Sequence, residues 1–125
     1  MGLKYRWMQK EDLNKIGSES NFIALLKGTK TIANVVESDG DILGWVVYKI
    51  EDKIKIVRIA FDEDNTASFI LKTIKKKFPS KPIHITVSDR DLKMHLLLKS
   101  ENFIAFDITR SQEFDLYSFV SDHHI

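Results

Sequence analysis

The sequence predicts a mixed α/β fold: a central, mostly antiparallel sheet of about seven strands with about four helices packed on it. Three observations predict it. Short β-branched runs with period-two alternation recur along the chain and are interrupted at three places by segments that read as helix. An Asp39-Gly40 pair sits between two such runs, the strongest short hairpin signal. A strand–helix–strand unit from Lys53 to Ser88 calls for a right-handed parallel crossover, flanked by antiparallel hairpins.

The elements follow in order. Leu3 to Met8 reads as a strand. Lys10 to Gly17 reads as a short helix with Leu13 and Ile16 on one side and Gly17 as its stop. Ser20 can cap a second helix, Asn21 to Lys27, ended by Gly28. Thr31 to Glu37 and Ile42 to Ile50 form the hairpin; the second is apolar on both faces and so belongs inside the sheet. After the turn at Glu51-Asp52-Lys53, the run Lys53 to Phe61 is another strand.

The period then changes. Ala67, Ile70, Leu71, Ile74 and Phe78 make one apolar stripe, with Lys72, Lys75 and Lys76 off it. Pro79 and Pro82 end this helix. Ile83, Ile85 and Val87 alternate with His84, Thr86 and Ser88 as in a strand. Asp89 or Ser88 can cap a helix running to Lys99. Asn102 to Ile108 and Phe114 to Val120 close the order β-α-α-β-β-β-α-β-α-β-β.

Residues 1–125 read as one domain: the chain shows no linker, repeat or low-complexity stretch. A domain of this size buries roughly two-thirds of its unfolded surface, enough for a core without staples. With 19 basic and 18 acidic residues, the net charge of +1 argues against a dedicated duplex nucleic-acid binder. The absence of Cys removes disulfides, thiolate metal sites and Cys nucleophiles, and fits a cytoplasmic protein. The apolar run Ile42 to Tyr48 is far short of the ~20 residues that cross a bilayer, and the leading residues carry no hydrophobic signal core. His84, His95, His123 and His124 lack any metal-binding spacing, so no metal is expected. His95 reads as a packed, hydrogen-bonded side chain, and the two Trp and eight Phe read as core. No nucleophile elbow, Walker loop or dinucleotide fingerprint occurs.

The residues carry a resemblance over essentially the whole chain. Val36-Glu37-Ser38-Asp39-Gly40-Asp41-Ile42-Leu43-Gly44-Trp45 resembles the hairpin of the GNAT acetyltransferase superfamily, an acidic residue followed by Asp-Gly, two hydrophobics and Gly. Ile59-Ala60-Phe61 resembles the end of its fourth strand. Asp91 to Phe103 resembles its last helix and following strand, N-x-x-A-x-x-hydrophobic-Tyr-x-x-x-Gly-Phe. The nearest flavour is the group related to ribosomal-protein alanine acetyltransferases.

The resemblance implies an N-acetyltransferase that takes acetyl-coenzyme A in a cleft between strands four and five and passes the acetyl group to an amine, on a small molecule or a protein. It implies that Ile59, Ala60 and Phe61 flank the pantetheine arm, and that Asn65, Thr66, Ala67 and Ser68 open the helix that cradles the pyrophosphate. The family loop, Arg/Gln-x-x-Gly-x-Gly/Ala, is replaced here. Asn65 and Ala67 stand for the two glycines, no basic residue precedes them, and Asp62, Glu63 and Asp64 lead into the helix. Acids there match the helix dipole and repel a phosphate. The lysines of the same helix read as a solvated face, with a phosphate contact as the alternative.

The family's fourth-strand Glu falls near Lys55, with Glu37 the nearest strand acid. Leu98 takes the place of its thiolate-protonating Tyr, and Asp91 that of an Asn. The catalytic residues are therefore not assigned; direct attack by a positioned free amine supplies acceleration without them. Tyr117 and Trp45 can line the acceptor side or simply pack. A second reading is a catalytically degenerate GNAT fold serving as a binding or regulatory module. A third is a homodimer in which the last strands pair across subunits.

Overall fold

A computed structural model describes residues 2–16 and 30–121. The strands are β1 (Lys4–Trp7), β2 (Thr31–Ser38), β3 (Asp41–Ile50), β4 (Ile54–Phe61), β5 (Ile83–Ser88), β6 (Phe103–Arg110) and β7 (Asp115–Ser121). The helices among the described residues are α1 (Asp12–Ile16), α2 (Asp64–Lys77) and α3 (Leu92–Ser100). The expected helix at Asn21 to Lys27, with its Ser20 cap and Gly17 and Gly28 stops, lies outside the described residues.

The strands form one seven-stranded sheet in the order β1-β2-β3-β4-β5-β7-β6. Every neighbouring pair is antiparallel except β4 and β5, which are parallel and joined through α2. The mixed, mostly antiparallel sheet is thus the predicted one. Its hairpin turn is tight because Asp39 and Gly40 both take positive φ, 53° and 86°, between the paired Ser38 and Asp41. Positive φ at both central residues matches the right-handed twist of the flanking strands.

Alternation along the strands divides the core between the two sheet faces. Val36, Val46 and Tyr48 join Ile70, Leu71 and Ile74 of α2 and Leu97 and Leu98 of α3 in the larger cluster. Ala33 and Val47, offset by one position, form a smaller cluster with Ile16 of α1 and Trp45. Each fully buried Ile or Leu contributes about 1.5–3 kcal/mol, so α2 is held by its apolar stripe far more firmly than by helix propensity.

The caps of α3 correct one expectation. The N-cap is Asp91, whose carboxylate accepts from the Met94 N–H at 3.2 Å, and neither Asp89 nor Ser88. Ser88 ends β5, and its carbonyl instead accepts from the Asp91 N–H. At the other end Asn102 takes φ of 66°, the left-handed conformation that stops a helix.

Arg6 ties β1, β2 and α1 together. Its guanidinium donates to both oxygens of the buried Asp12 at 2.8 and 2.9 Å, and to Glu37 at 2.7 Å. The Arg6 hydrogen bonds hold the Asp12 carboxyl below its usual range despite its burial. No helix among the described residues is long and apolar enough to cross a membrane.

Candidate functional site

Two irregularities in the sheet build the site. The first is in β4. Val47 faces Arg58 but Tyr48 faces Ile56, so Val57 is an extra residue in the strand. Such a bulge bends its strand and sharpens the local twist. The β4–β5 ladder runs from Ile54/Ile83 to Ile56/Ile85 and stops there, immediately before Val57. Beyond that point β4 stays paired to β3, and β5 to β7, while the two strands part. A strand bonded along one edge turns its alternate N–H and C=O groups to the other. Both walls of the gap therefore present backbone donors and acceptors.

The gap is a cleft of about 250 Å³. Val57, Ile59 and Phe61 line one side and Val87 and Met94 the other. Arg58, Thr86, Ser88 and Asp91 supply its polar groups. Asp91 is the carboxylate among the lining residues, and Arg58 the cation. One oxygen of Asp91 caps α3, so the carboxylate is held on the cleft lining by the helix it starts.

The second irregularity is in β3. Val36 faces Gly44 but Glu37 faces Ile42, leaving Leu43 extra. Its carbonyl accepts from the Asp62 N–H at 2.9 Å and so receives the chain as it leaves β4. Only Asp62 and Glu63 separate β4 from α2. The Asp62 carboxylate folds back and accepts from the Glu63 N–H at 2.7 Å and the Thr66 hydroxyl at 2.8 Å. Thr66 is buried over Gly44, where a β-carbon would lie 2.8 Å from the Ala60 carbonyl and 3.0 Å from the Thr66 methyl. Gly44 is thus required for α2 to start this close to the sheet.

The predicted cofactor residues divide. Ile59 and Phe61 line the cleft. Ala60 pairs with Trp45 of β3 and is absent from the cleft lining. Asn65 and Ser68 line a separate groove between α2 and α3. Thr66 and Ala67 turn into the core, and their N–H groups both reach the Glu63 carbonyl. The N–H groups of Asp64 and Asn65 have no partner within the described chain.

Fit to acetyl-coenzyme A is therefore uneven. The cleft suits the slender pantetheine arm, with apolar walls and free strand edges. The two-residue connection has no glycine-rich loop to wrap a pyrophosphate, and its acids oppose one. The α2–α3 groove carries Asp64 and Glu101 against Lys93, and the Ser68 hydroxyl donates across it to Glu101 at 2.6 Å. Lys75 donates to the Glu101 carbonyl at 2.5 Å and stacks over Phe103, while Lys77 stacks over Tyr5 and Trp7. At about 1.5 Å rise per residue these lysines sit roughly 15–20 Å from the start of α2, which removes them from a phosphate there.

Other candidates resolve as packing. Tyr117 and Phe119 meet the His95 ring edge-on, and His95 Nε2 lies 2.9 Å from the Ser88 carbonyl. Leu98 is fully buried, and Glu37 is held by Arg6. Trp45 packs on the smaller cluster. Lys55 pairs with His84 and faces a second recess, on the β4–β5–β7 stretch, that also includes Phe106. Among the described residues no group of three or more His, Asp or Glu is placed to hold a metal. Sequence reasoning missed Arg58, Thr86 and Ser88 as cleft residues; a bulge at Val57 leaves no mark in the hydrophobic pattern.

No protein-family model and no curated protein sequence matches the chain. Solved structures do match in shape. The ribosomal-protein-S18-alanine N-acetyltransferase from Escherichia coli superposes with a TM-score of 0.77 at 14% identity, covering 96% of this chain and 93% of that one. The fold is the GNAT fold. The IAA acetyltransferase from Bacillus cereus matches with a TM-score of 0.75 at 13% identity, over 96% of this chain and 99% of that one. An N-acetyltransferase from Staphylococcus aureus reaches 0.78 at 8% identity, over 98% and 99%. At these identities the GNAT likeness concerns architecture. It covers this chain nearly end to end.

Proposed function

We propose that this chain is an N-acetyltransferase that moves an acetyl group from acetyl-coenzyme A to an amine. The observation that carries the reading is the β4–β5 cleft opened by Val57, set in a GNAT fold with solved examples named as N-acetyltransferases. One of those is named for an alanine of a ribosomal protein and another for spermidine, so protein and small-molecule amines are both on the acceptor panel.

In this reading the pantetheine arm lies between the free edges of β4 and β5, with its thioester toward Arg58 and Asp91. The amine nitrogen attacks the thioester carbonyl carbon; the N–C bond forms and the C–S bond breaks. The amine proton passes to the Asp91 carboxylate or to water, and the departing thiolate is protonated from solvent. The Arg58 guanidinium serves twice. It disfavours a second positive charge nearby, which favours the neutral acceptor amine, and it can donate to the developing oxyanion. Holding amine and thioester together supplies the largest share, up to about 7–11 kcal/mol. The cysteine-free sequence goes with a cytoplasmic setting.

The test is amine-dependent release of thiol from acetyl-coenzyme A, compared between wild type and Thr86→Trp, which fills the cleft from an exposed position. Turnover by wild type that is lost in the variant supports the reading. The buried Leu98 and the short β4–α2 connection favour the binding-module alternative; coenzyme A binding without turnover of any amine would select it.

A further inference from the structure

Resting on that reading, we propose that this protein recognises its acyl donor by the pantetheine arm alone. The nucleotide diphosphate would add nothing to affinity, so that a phosphate-free acyl-pantetheine thioester is as good a donor as the acyl-coenzyme A.

A diphosphate would have to sit at the start of α2. A helix start binds phosphate when a flexible, glycine-rich connection lets the oxygens approach several N–H groups together. Here the connection is Asp62 and Glu63 only, and it is pulled tight at both ends. The Asp62 N–H is taken by the Leu43 carbonyl. The Asp62 carboxylate has already claimed the Glu63 N–H and the Thr66 hydroxyl. Thr66 and Ala67 spend their N–H groups on the Glu63 carbonyl. Gly44 lets the first turn of α2 lie against the sheet, so the loop has no slack to open outward.

Charge points the same way. The carboxylates of Glu63 and Asp64 are exposed beside the two remaining free N–H groups, those of Asp64 and Asn65. They already answer the positive end of the helix dipole. Across the groove Lys93 is matched by Glu101, which itself holds Ser68. A diphosphate placed there would meet more negative charge than positive.

None of this touches the cleft. Its apolar walls at Val57, Ile59, Phe61 and Met94 and its free strand edges recognise an uncharged, amide-bearing chain of the pantetheine kind. The recognition that remains is therefore that of a strand edge binding an extended arm.

The experiment titrates the full chain with coenzyme A and with reduced pantetheine under matched conditions, at low and high salt. Dissociation constants within about threefold of each other, with coenzyme A affinity unchanged or improved by salt, are expected. Coenzyme A more than about threefold tighter than pantetheine would overturn the proposal while leaving the acetyltransfer reading intact. Binding of neither ligand would overturn both. The double variant Glu63→Gln with Asp64→Asn gives a second reading of the same claim. It should strengthen coenzyme A binding severalfold and leave pantetheine unchanged; loss of coenzyme A binding in it would contradict the charge argument.

Discussion

Replacing Gly44 by Ala is the sharpest perturbation of the geometry that builds the site. The new β-carbon would lie 2.8 Å from the Ala60 carbonyl oxygen, 3.0 Å from the Thr66 methyl and 3.3 Å from the Phe61 α-carbon. Two of the three neighbours are backbone, so no rotamer change relieves them. The first turn of α2 must lift from β3 and β4, straining the Asp62–Thr66 hydrogen bond and the Asp62–Leu43 link. Overpacking of this kind costs about 1–3 kcal/mol. For a chain of 125 residues the unfolding entropy is about 0.26 kcal/mol per kelvin, so Tm should fall by roughly 4–11 °C. Thr66→Ser removes only the methyl contact and keeps the hydroxyl for Asp62. In a double-mutant cycle read by thermal unfolding, it should recover part of the Gly44→Ala loss, by about 0.5–1 kcal/mol. A Gly44→Ala protein with unchanged Tm, or a cycle without coupling, would refute the claim that close approach at Gly44 seats α2.

Asp91→Asn keeps an N-cap acceptor for Met94 but no basic carboxylate. Its Tm should hold while kcat falls by about 10–100-fold, which steady-state kinetics would show. The Asp12 carboxyl is held low by Arg6 in the folded protein, so its contribution is fully present above the unfolded value near 4 and is lost as pH falls through the folded one. Asp12→Asn should cost about 2–3 kcal/mol at neutral pH and flatten the acid limb of a stability–pH curve. Burial pushes the phenols of Tyr48 and Tyr5 upward, and the buried Tyr48 hydroxyl has as its polar neighbour the Tyr5 hydroxyl, which already donates to Asn34. Tyr48→Phe should therefore shift Tm by no more than about 4 °C, since that contact is worth at most about 1 kcal/mol. Strand β6 lies at a sheet edge with Ile104, Phe106 and Ile108 exposed. We propose that a second copy covers it, so sedimentation should show a dimer at high concentration that Phe106→Lys disperses.

The parts of the fold that hydrophobic period writes into the sequence were legible. The apolar stripe from Ala67 to Ile74 is the buried face of α2, and Ile83, Ile85 and Val87 are the buried face of β5. Asp39-Gly40 turns where its chemistry requires. Asn102, standing where the resembling family has Gly, takes the positive φ that either residue tolerates. The site was less legible, because it is made by irregularities. One extra residue at Val57 parts β4 from β5, and one at Leu43 offers a carbonyl to Asp62. Bulges depend on how two strands pair, and a single run of residues does not record its partner. Arg58, Thr86 and Ser88 enter the cleft only because of the parting. Asp91 was visible as a departure from the family pattern, but not as the carboxylate that, among the described residues, lines the cleft. The acids at Asp62 to Asp64 were legible as charge; that Asp62 accepts from Glu63 and Thr66 depends on how the chain turns into α2.

The central claim is that the parted strands β4 and β5 form an acyltransfer cleft. It is tested most directly by following thiol release from acetyl-coenzyme A with a panel of amines, in wild type and in Thr86→Trp matched for Tm. The account predicts amine-dependent release by wild type that collapses in the filled-cleft variant. Release that survives Thr86→Trp, or no release and no donor binding by wild type at millimolar thioester, would contradict it.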